Sequence, residues 1–231
     1  MASTNNKSPD NRAGDPDKIR VVLVDDHSVM RQGLATLINA EKDLLVCGEA
    51  DGVQSALEVI ARTRPRLALV DISLREGDGL ELIRQIAGHH PQVLPLVLSM
   101  HDESVYAERA LRAGARGYVR KVEVAETVMT AIRRVLAGEV YVSQGVAAGL
   151  INRVATGPHS EPVSPLDRLS DRELQVLACI GRGMSNREIA EELFISVRTV
   201  EAHREHMKQK LNLPSSGELL RYAIEFSRVQ G

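Results

Sequence analysis

Aspartate, serine and lysine side chains recur at one kind of position in this sequence, at the end of a run of apolar residues. The set comprises Asp25, Asp26, Asp71, Ser99 and Lys121. Carboxylates that meet at one point favour protonation unless a hard cation lies among them, and Mg²⁺ prefers a few carboxylates together with water and a phosphate. A lysine and a hydroxyl supply the positive charge and the hydrogen-bond donor that phosphoryl oxygens require. If these residues meet, Asp71 is the natural nucleophile and would form an acyl phosphate.

The apolar runs predict the strands that would bring these residues together. Leu67–Val70 is a continuous apolar run, which is typical of a strand buried on both faces of a parallel sheet. Strand and helix patterns alternate five times over residues 19–138, which predicts a doubly wound α/β fold of five βα units. Because parallel strands end at the same edge of such a sheet, we expect the reactive residues to share that edge.

The predicted bounds follow from apolar periodicity. The predicted strands are 19–24, 44–47, 67–70, 93–99 and 117–119, and the predicted helices are 28–40, 53–61, one beginning at Gly79, 103–113 and 124–137.

Composition limits the classes of protein to which the chain can belong. Its 231 residues, 43% of them hydrophobic, predict one or two domains with ordinary cores. Residues 1–18 form a polar tail that we expect to be disordered, and no stretch resembles a signal peptide or a membrane span, so we expect a cytoplasmic protein. Cys47 and Cys179 lie in separate apolar runs, which predicts reduced core cysteines.

The combination of Asp25-Asp26, Asp71, Ser99, Tyr118 and Lys121 resembles the receiver domain of bacterial response regulators. The resemblance spans residues 19–138 and implies a flavodoxin-like fold in which a sensor histidine kinase phosphorylates Asp71. It implies a Mg²⁺ site formed by Asp25, Asp26, Asp71 and the backbone carbonyl of Ser73, with Asp25 acting mainly through water. Ser99 and Tyr118 would form a switch pair, and Lys121 would hold the phosphoryl oxygens.

The sequence departs from the receiver pattern at two places. Leu74-Arg75 stands where many receiver domains have Met-Pro, and Val122 stands where many have a proline after the lysine. A cis peptide without proline costs about 3 kcal/mol, so the sequence leaves the isomer of the Lys121–Val122 peptide open.

Each site residue also has an ordinary structural interpretation. Asp25-Asp26 could cap the following helix, Lys121 could be a solvated lysine and Tyr118 an aromatic residue of an edge strand. Four histidines are expected in solvated loops, namely His27, His89, His90 and His101. A different function, a Mg²⁺-dependent phosphohydrolase with an aspartyl-phosphate intermediate, would require a second acid where Ser73 stands.

The chain changes character after residue 138. Residues 139–165 are predicted to be a linker with room for one short helix in Tyr141–Val154, because three prolines follow at positions 158, 162 and 165. Beyond it, S-x-x-E capping boxes begin at Ser170, Ser185 and Ser215, and Ser196 is a fourth N-cap. They predict four helices, near 171–182, 186–193, 197–211 and 216–228.

The two middle helices of this all-α unit form a predicted helix-turn-helix. In the third helix Val200, Met207 and Leu211 share an apolar face. The segment from Leu169 to Leu211 resembles a LuxR-type DNA-binding domain over residues 166–231, so the whole chain resembles NarL/FixJ-type regulators. The resemblance implies a recognition helix at 197–211 and a dimerisation helix at 216–228. The candidate DNA-contacting residues are Ser196, Arg198, Thr199, Glu201, Ala202, Glu205 and Lys208.

Charge supports DNA binding only locally. The net charge is −2, and residues 166–231 contain ten basic and ten acidic residues. Glu201 and Glu205 would face the bases, where a glutamate can accept a hydrogen bond from cytosine N4 but weakens attraction to phosphate. A protein-binding four-helix module is the alternative interpretation of this half.

These patterns together predict a phosphorylation-controlled transcriptional regulator of a two-component system. Phosphorylation of Asp71 would rearrange Ser99 and Tyr118 and free or dimerise the DNA-binding half. A homodimer would then bind a partly palindromic promoter and could contact RNA polymerase. A regulator that binds DNA independently of phosphorylation is a further alternative.

Overall fold

The computed structural model describes residues 18–74, 77–123, 125–156 and 165–230, so most of the predicted amino-terminal tail and linker lie outside the described residues. The amino-terminal elements are β1 (Ile19–Val24), α1 (Ser28–Asn39), β2 (Leu44–Ala50), α2 (Val53–Thr63), β3 (Leu67–Val70), α3 (Gly79–His89), β4 (Leu94–Ser99), α4 (Glu103–Ala113), β5 (Gly117–Arg120) and α5 (Ala125–Leu136). The later elements are α6 (Gln144–Thr156), a 3₁₀ turn (Pro165–Arg168), α7 (Asp171–Gly181), α8 (Asn186–Glu192), α9 (Val197–Leu211) and α10 (Ser216–Gln230).

The five strands form one parallel sheet in the order β2-β1-β3-β4-β5. Val24 pairs with Val70, and Val70 pairs with Val97, so the central strands end almost level with one another. This confirms the predicted doubly wound α/β fold. It also brings the residues that follow these strands to one edge of the sheet.

Alternation along each strand divides the core into two apolar layers. Val21 and Leu23 of β1 pack in the layer beneath α1 and α5, whereas Val22 and Val24 pack in the layer beneath α2, α3 and α4. The side chains alternate because successive residues of a strand point to opposite faces of the sheet. Helices therefore cover both faces of the sheet.

Several predicted bounds differ from the observed ones. β2 continues to Ala50, three residues beyond the prediction, because an edge strand can pair with β1 without a continuous apolar pattern. α2 runs to Thr63 and ends where Arg64 adopts a left-handed conformation with φ 45°. Cys47 of β2 is half-buried and packs against the core, Cys179 is buried, and both are free thiols, as predicted.

The carboxy-terminal half contains the four predicted helices. Ser170 and Ser185 form both sides of their capping boxes, and the hydroxyl of Ser196 accepts a hydrogen bond from the Thr199 N–H at 3.0 Å. The short helix expected in the linker is α6, which packs against α4. Val200 and Met207 of α9 are buried against the rest of this half, as predicted.

Candidate functional site

The polar edge of the sheet brings the predicted reactive residues into contact. Lys121 extends its ammonium between two carboxylates, with Nζ 2.8 Å from Oδ2 of Asp71 and 2.6 Å from Oδ2 of Asp25. All three side chains are nearly buried, at 3–4% exposure. Lysines and aspartates are seldom buried to this extent unless they are paired. The strand ends therefore build a compact site of buried charges.

Burial and pairing act in opposite directions on these charges. Burial raises the pKa of Asp71 to about 6, although the ammonium of Lys121 favours the ionised carboxylate. Burial alone would lower the pKa of Lys121, but Asp71 and Asp25 outweigh it and raise that pKa. The lysine thus remains charged, and the carboxylate of Asp71 is ionised at neutral pH but less readily than an exposed aspartate.

The donor atoms at this edge fit a hard divalent cation. Ligand atoms from Asp25, Asp26, His27 and Asp71 all lie within 4.8 Å of one another. Three of the four residues offer carboxylate oxygens, which Mg²⁺ prefers to imidazole nitrogen. The backbone N–H of Ser73 donates to Oδ1 of Asp71 at 3.1 Å, which orients that carboxylate. Asp25 and Asp26 are not the N-cap of the following helix, because the N-cap of α1 is His27.

Ser99 and Tyr118 lie buried beside the acidic cluster. Ser99 accepts a hydrogen bond from the backbone N–H of His101 at 3.2 Å, and the hydroxyl of Tyr118 donates to the carbonyl oxygen of His101 at 3.0 Å. Burial raises the pKa of Tyr118, so its hydroxyl stays protonated. The predicted switch residues thus meet through the backbone of the loop that follows β4.

His101 was wrongly assigned to a solvated loop. Its ring stacks on Tyr106 with the centroids 4.6 Å apart, and Nε2 lies 2.7 Å from the hydroxyl of Ser73. Burial, with a smaller effect from Arg182, lowers the pKa of His101 to about 4, so the ring is neutral at pH 7. No local sequence pattern predicts this contact, because the residues that cover His101 are distant in the chain.

The peptide that follows Lys121 is trans, because no cis peptide bond occurs among the described residues. Val122 is 62% exposed, so the structure places an apolar side chain in solvent next to the site.

The helix-turn-helix presents most of the predicted DNA-contacting residues to solvent. The exposed members are Ser196, Arg198, Glu201, Ala202 and Glu205. Thr199 and Lys208 are half-buried, and Nζ of Lys208 lies 2.7 Å from Oε2 of Glu205. Because Glu205 neutralises Lys208, Arg198 is the predicted contact best suited to meet a phosphate or a base edge.

An ion pair between exposed Lys210 and buried Glu173 fixes α9 against α7. Nζ of Lys210 lies 3.0 and 2.7 Å from the two carboxylate oxygens of Glu173, which is only 3% exposed. Glu173 also accepts the backbone N–H of Ser170 at 2.7 Å within the capping box. One carboxylate therefore caps α7 and anchors the end of α9, a role that the capping pattern alone did not reveal.

Charged contacts between the two halves were also not predicted. Asp171, the first residue of α7, accepts hydrogen bonds from Arg84 of α3 at 2.7 Å and from Arg109 of α4 at 3.0 Å. An apolar cluster continues from the α2–α4 layer of the sheet into the helical half. The two halves are thus docked through the α3–α4 side of the receiver-like half.

None of the described helices is both long enough and apolar enough to cross a membrane.

Comparison with known families assigns both halves. Residues 21–133 match the response regulator receiver domain, and residues 167–223 match bacterial regulatory proteins of the luxR family. The chain is 36% identical over 211 residues to the oxygen regulatory protein NreC of Staphylococcus haemolyticus, which covers 90% of this chain and 97% of that protein. It is 38% identical over 212 residues to NreC of Staphylococcus aureus, with the same coverage of both chains.

Solved structures show the same fold. A LuxR-family two-component response regulator from Aurantimonas sp. SI85-9A1 matches 60% of this chain and 99% of its own, with a TM-score of 0.55 and 30% identity. RcsB of Salmonella enterica serovar Typhimurium, solved on the promoter rprA with the phosphomimetic BeF₃⁻, matches 89% of this chain and 98% of its own, with a TM-score of 0.60 and 22% identity. With a receiver domain joined to a LuxR-type helix-turn-helix, this chain belongs to the DNA-binding response regulators of two-component systems.

Proposed function

We propose that Asp71 is the phosphoacceptor of this response regulator and that a sensor histidine kinase supplies its phosphoryl group. One observation carries the proposal, the contact of the Lys121 ammonium with Asp71 and Asp25 at 2.8 and 2.6 Å. In this position the ammonium can stabilise negative charge that develops on a phosphoryl group bound to Asp71. Ser99 lies at the end of the neighbouring strand, where its hydroxyl can donate to the same group.

Mg²⁺ is the cation that we propose for this site. Asp25, Asp26 and Asp71 would hold it with the backbone carbonyl of Ser73, and when bound it would neutralise charge on the transferred phosphoryl group. Lys121 keeps its own contact with Asp71, which orients the attacking oxygen. The chain is proposed to undergo this reaction on itself in the cytoplasm rather than to turn over a free phosphate ester.

Phosphorylation can be tested with a small phosphodonor. Phosphoramidate and Mg²⁺ should add one phosphate to the full chain, seen by intact mass, and hydroxylamine should remove it as expected for an acyl phosphate. Asp71→Asn should abolish the addition, whereas Asp51→Asn, which changes an exposed aspartate after β2, should not. Equal labelling of Asp71→Asn would show that the phosphoacceptor is another residue.

We propose that phosphorylation promotes a homodimer that binds promoter DNA through α9. Arg198 is exposed at the amino-terminal end of α9, where recognition helices approach base edges. This proposed dimer would place two α9 helices on two half-sites, and RNA polymerase would be recruited nearby.

Genomic footprinting with purified protein tests this binding. Phosphoramidate should strengthen protection of specific sites, and Arg198→Ala should weaken it by about 1–3 kcal/mol. Arg112→Ala is the matched control, because it removes an exposed arginine from the receiver half. It should leave protection of the DNA unchanged. Protection that ignores the phosphodonor would instead favour a phosphorylation-independent regulator.

A further inference from the structure

One face of α9 carries more negative than positive charge. Its exposed residues recur at helical spacing, at positions i, i+3, i+4, i+7 and i+11, and they are Arg198, Glu201, Ala202, Glu205 and Gln209. Val200 and Met207 are buried on the opposite side of the helix. Because the DNA backbone is anionic, the two glutamates weaken attraction to DNA of any sequence. A contact with particular bases must therefore offset this repulsion if α9 enters the groove.

The two glutamates differ in their surroundings. Oε2 of Glu205 lies 2.7 Å from Nζ of Lys208, so this charge is neutralised within the helix. The carboxylate of Glu201 has no hydrogen bond or ion pair with any residue that the structure describes. Its neighbour Ala202 is also exposed and adds only a methyl group to the surface. Glu201 is thus the acidic residue of this face that is available to a donor on the DNA.

The position of Glu201 along α9 also favours a base contact. Recognition helices contact base edges mainly with their amino-terminal residues. Glu201 lies four residues after Val197, which begins the helix, and so about 6 Å along its axis. Glu205 lies about 12 Å along, one further turn into the helix. Glu201 therefore shares the first part of the helix with Arg198.

The chemistry of a carboxylate limits which base it can contact. An ionised carboxylate only accepts hydrogen bonds, and the amino groups of cytosine and adenine are the donors in the major groove. The adenine N6 group lies between two acceptors, its own N7 and the O4 of thymine, whereas the cytosine N4 group has one acceptor beside it, the O6 of guanine. Cytosine therefore offers the donor with less repulsion. A base pair without a donor at this place would leave the carboxylate unpaired, which is unfavourable.

We propose that Glu201 selects a cytosine in each half-site and that Glu205 takes no part in base selection. The carboxylate of Glu201 accepts a hydrogen bond from N4 of this cytosine, while Glu205 stays paired with Lys208. Glu201 thus contributes specificity more than affinity, because it weakens binding to every site that lacks the cytosine. This inference rests on the proposed binding of DNA through α9 and adds the base that one residue selects.

Selection from a random DNA library tests the proposal, with the full chain used both untreated and treated with phosphoramidate and Mg²⁺. Fluorescence anisotropy then gives the Kd of the best sequence and of its single-base variants. The wild-type motif should contain one cytosine per half-site at which every substitution weakens binding about fivefold or more.

Three variants identify the residue that selects this cytosine. Glu201→Gln should change the preferred base at that position to adenine, because an amide pairs with adenine N6 and N7. Glu201→Ala should lose the preference and bind sites with other bases more tightly than the wild type does. Glu205→Gln is the matched control, because it makes the same chemical change on the same face of α9, and it should keep the cytosine.

The proposal is overturned if Glu201→Gln keeps the wild-type preference at every position, or if Glu205→Gln changes the same position equally. It is also overturned if Glu201→Ala binds all sequences more weakly by one factor, because a role in helix stability alone would have that effect. Failure of the proposed DNA binding looks different. The wild type would then enrich no motif, or Arg198→Ala would leave binding unchanged, and the basis of this inference would fall with it.

Discussion

Removing the positive charge of Lys210 tests the ion pair that anchors α9. Lys210→Met keeps a long unbranched side chain but leaves the carboxylate of Glu173 without the two contacts at 3.0 and 2.7 Å. Of the contacts that the structure shows, Glu173 would then retain its two capping hydrogen bonds with Ser170. The carboxylate is 3% exposed, so water cannot fully replace the lost ammonium.

The expected cost lies between two known limits. Breaking a fully buried ion pair from one side costs about 3–5 kcal/mol, whereas an exposed pair contributes about 0–1 kcal/mol. The Glu173 carboxylate is as buried as the partners in a fully buried pair. Lys210 is 40% exposed, however, so water can partly take the place of its ammonium beside the carboxylate. We therefore expect Lys210→Met to lower the free energy of unfolding of the helical half by about 2 kcal/mol.

Urea unfolding of the full chain, followed by far-ultraviolet circular dichroism, measures this loss. The double variant Glu173→Gln/Lys210→Met should recover much of it, because no unpaired charge is then buried. Arg187→Met removes an exposed partner of Glu191 and should change stability by less than about 0.5 kcal/mol. A loss below about 0.5 kcal/mol in Lys210→Met would refute the expectation that the buried Glu173 carboxylate depends on this partner.

Three further predictions concern pH, the first residue of α3 and a buried hydroxyl. Burial opposes ionisation of Glu173, but Lys210 and Ser170 outweigh it and lower its pKa, so the stability lost in Lys210→Met should be largest above about pH 4.5 and shrink below it in acid unfolding curves. Gly79→Ala would place a Cβ 2.2 Å from the carbonyl oxygen of Asp71, and it should cost about 1–3 kcal/mol in urea unfolding and slow phosphoramidate labelling. The hydroxyl of Tyr106 is buried without a hydrogen-bond partner among the described residues, so Tyr106→Phe should raise the urea midpoint, with a gain of about 1 kcal/mol. An unchanged or lower midpoint would contradict that expectation.

The sequence predicted the site because strand ends in a parallel sheet share one edge. Placing Asp25, Asp71 and Lys121 required only the order of strands and helices, and the structure brings their charged atoms within 3 Å. Capping patterns located the helix starts of the carboxy-terminal half equally well, since Ser170 and Ser185 act on backbone groups only three residues away. Predictions succeeded where a local rule or the sheet topology fixed the geometry.

Contacts between distant surfaces lay beyond such rules. Asp171 meets Arg84 and Arg109 across 87 and 62 residues, and each of the three is an ordinary surface residue within its own helix. His101 was misplaced for a related reason, because its burial depends on the tertiary position of Tyr106 and of the helical half. The orientation of one domain on another is set by many weak contacts that no short pattern encodes.

The position of Lys121 has a consequence for the electroneutrality of the site. The formal side-chain charges of Asp25, Asp26, Asp71 and Lys121 sum to −2, so a single divalent ion would bring the sum to zero, whereas a monovalent ion would leave it at −1. Converting Asp71 into a dianionic aspartyl phosphate would then restore one negative charge in a place with little access to water. If Asp71 is phosphorylated as we propose, that charge would attract a hydrogen-bond donor, and the buried hydroxyl of Ser99 at the end of the adjacent strand is placed to supply one.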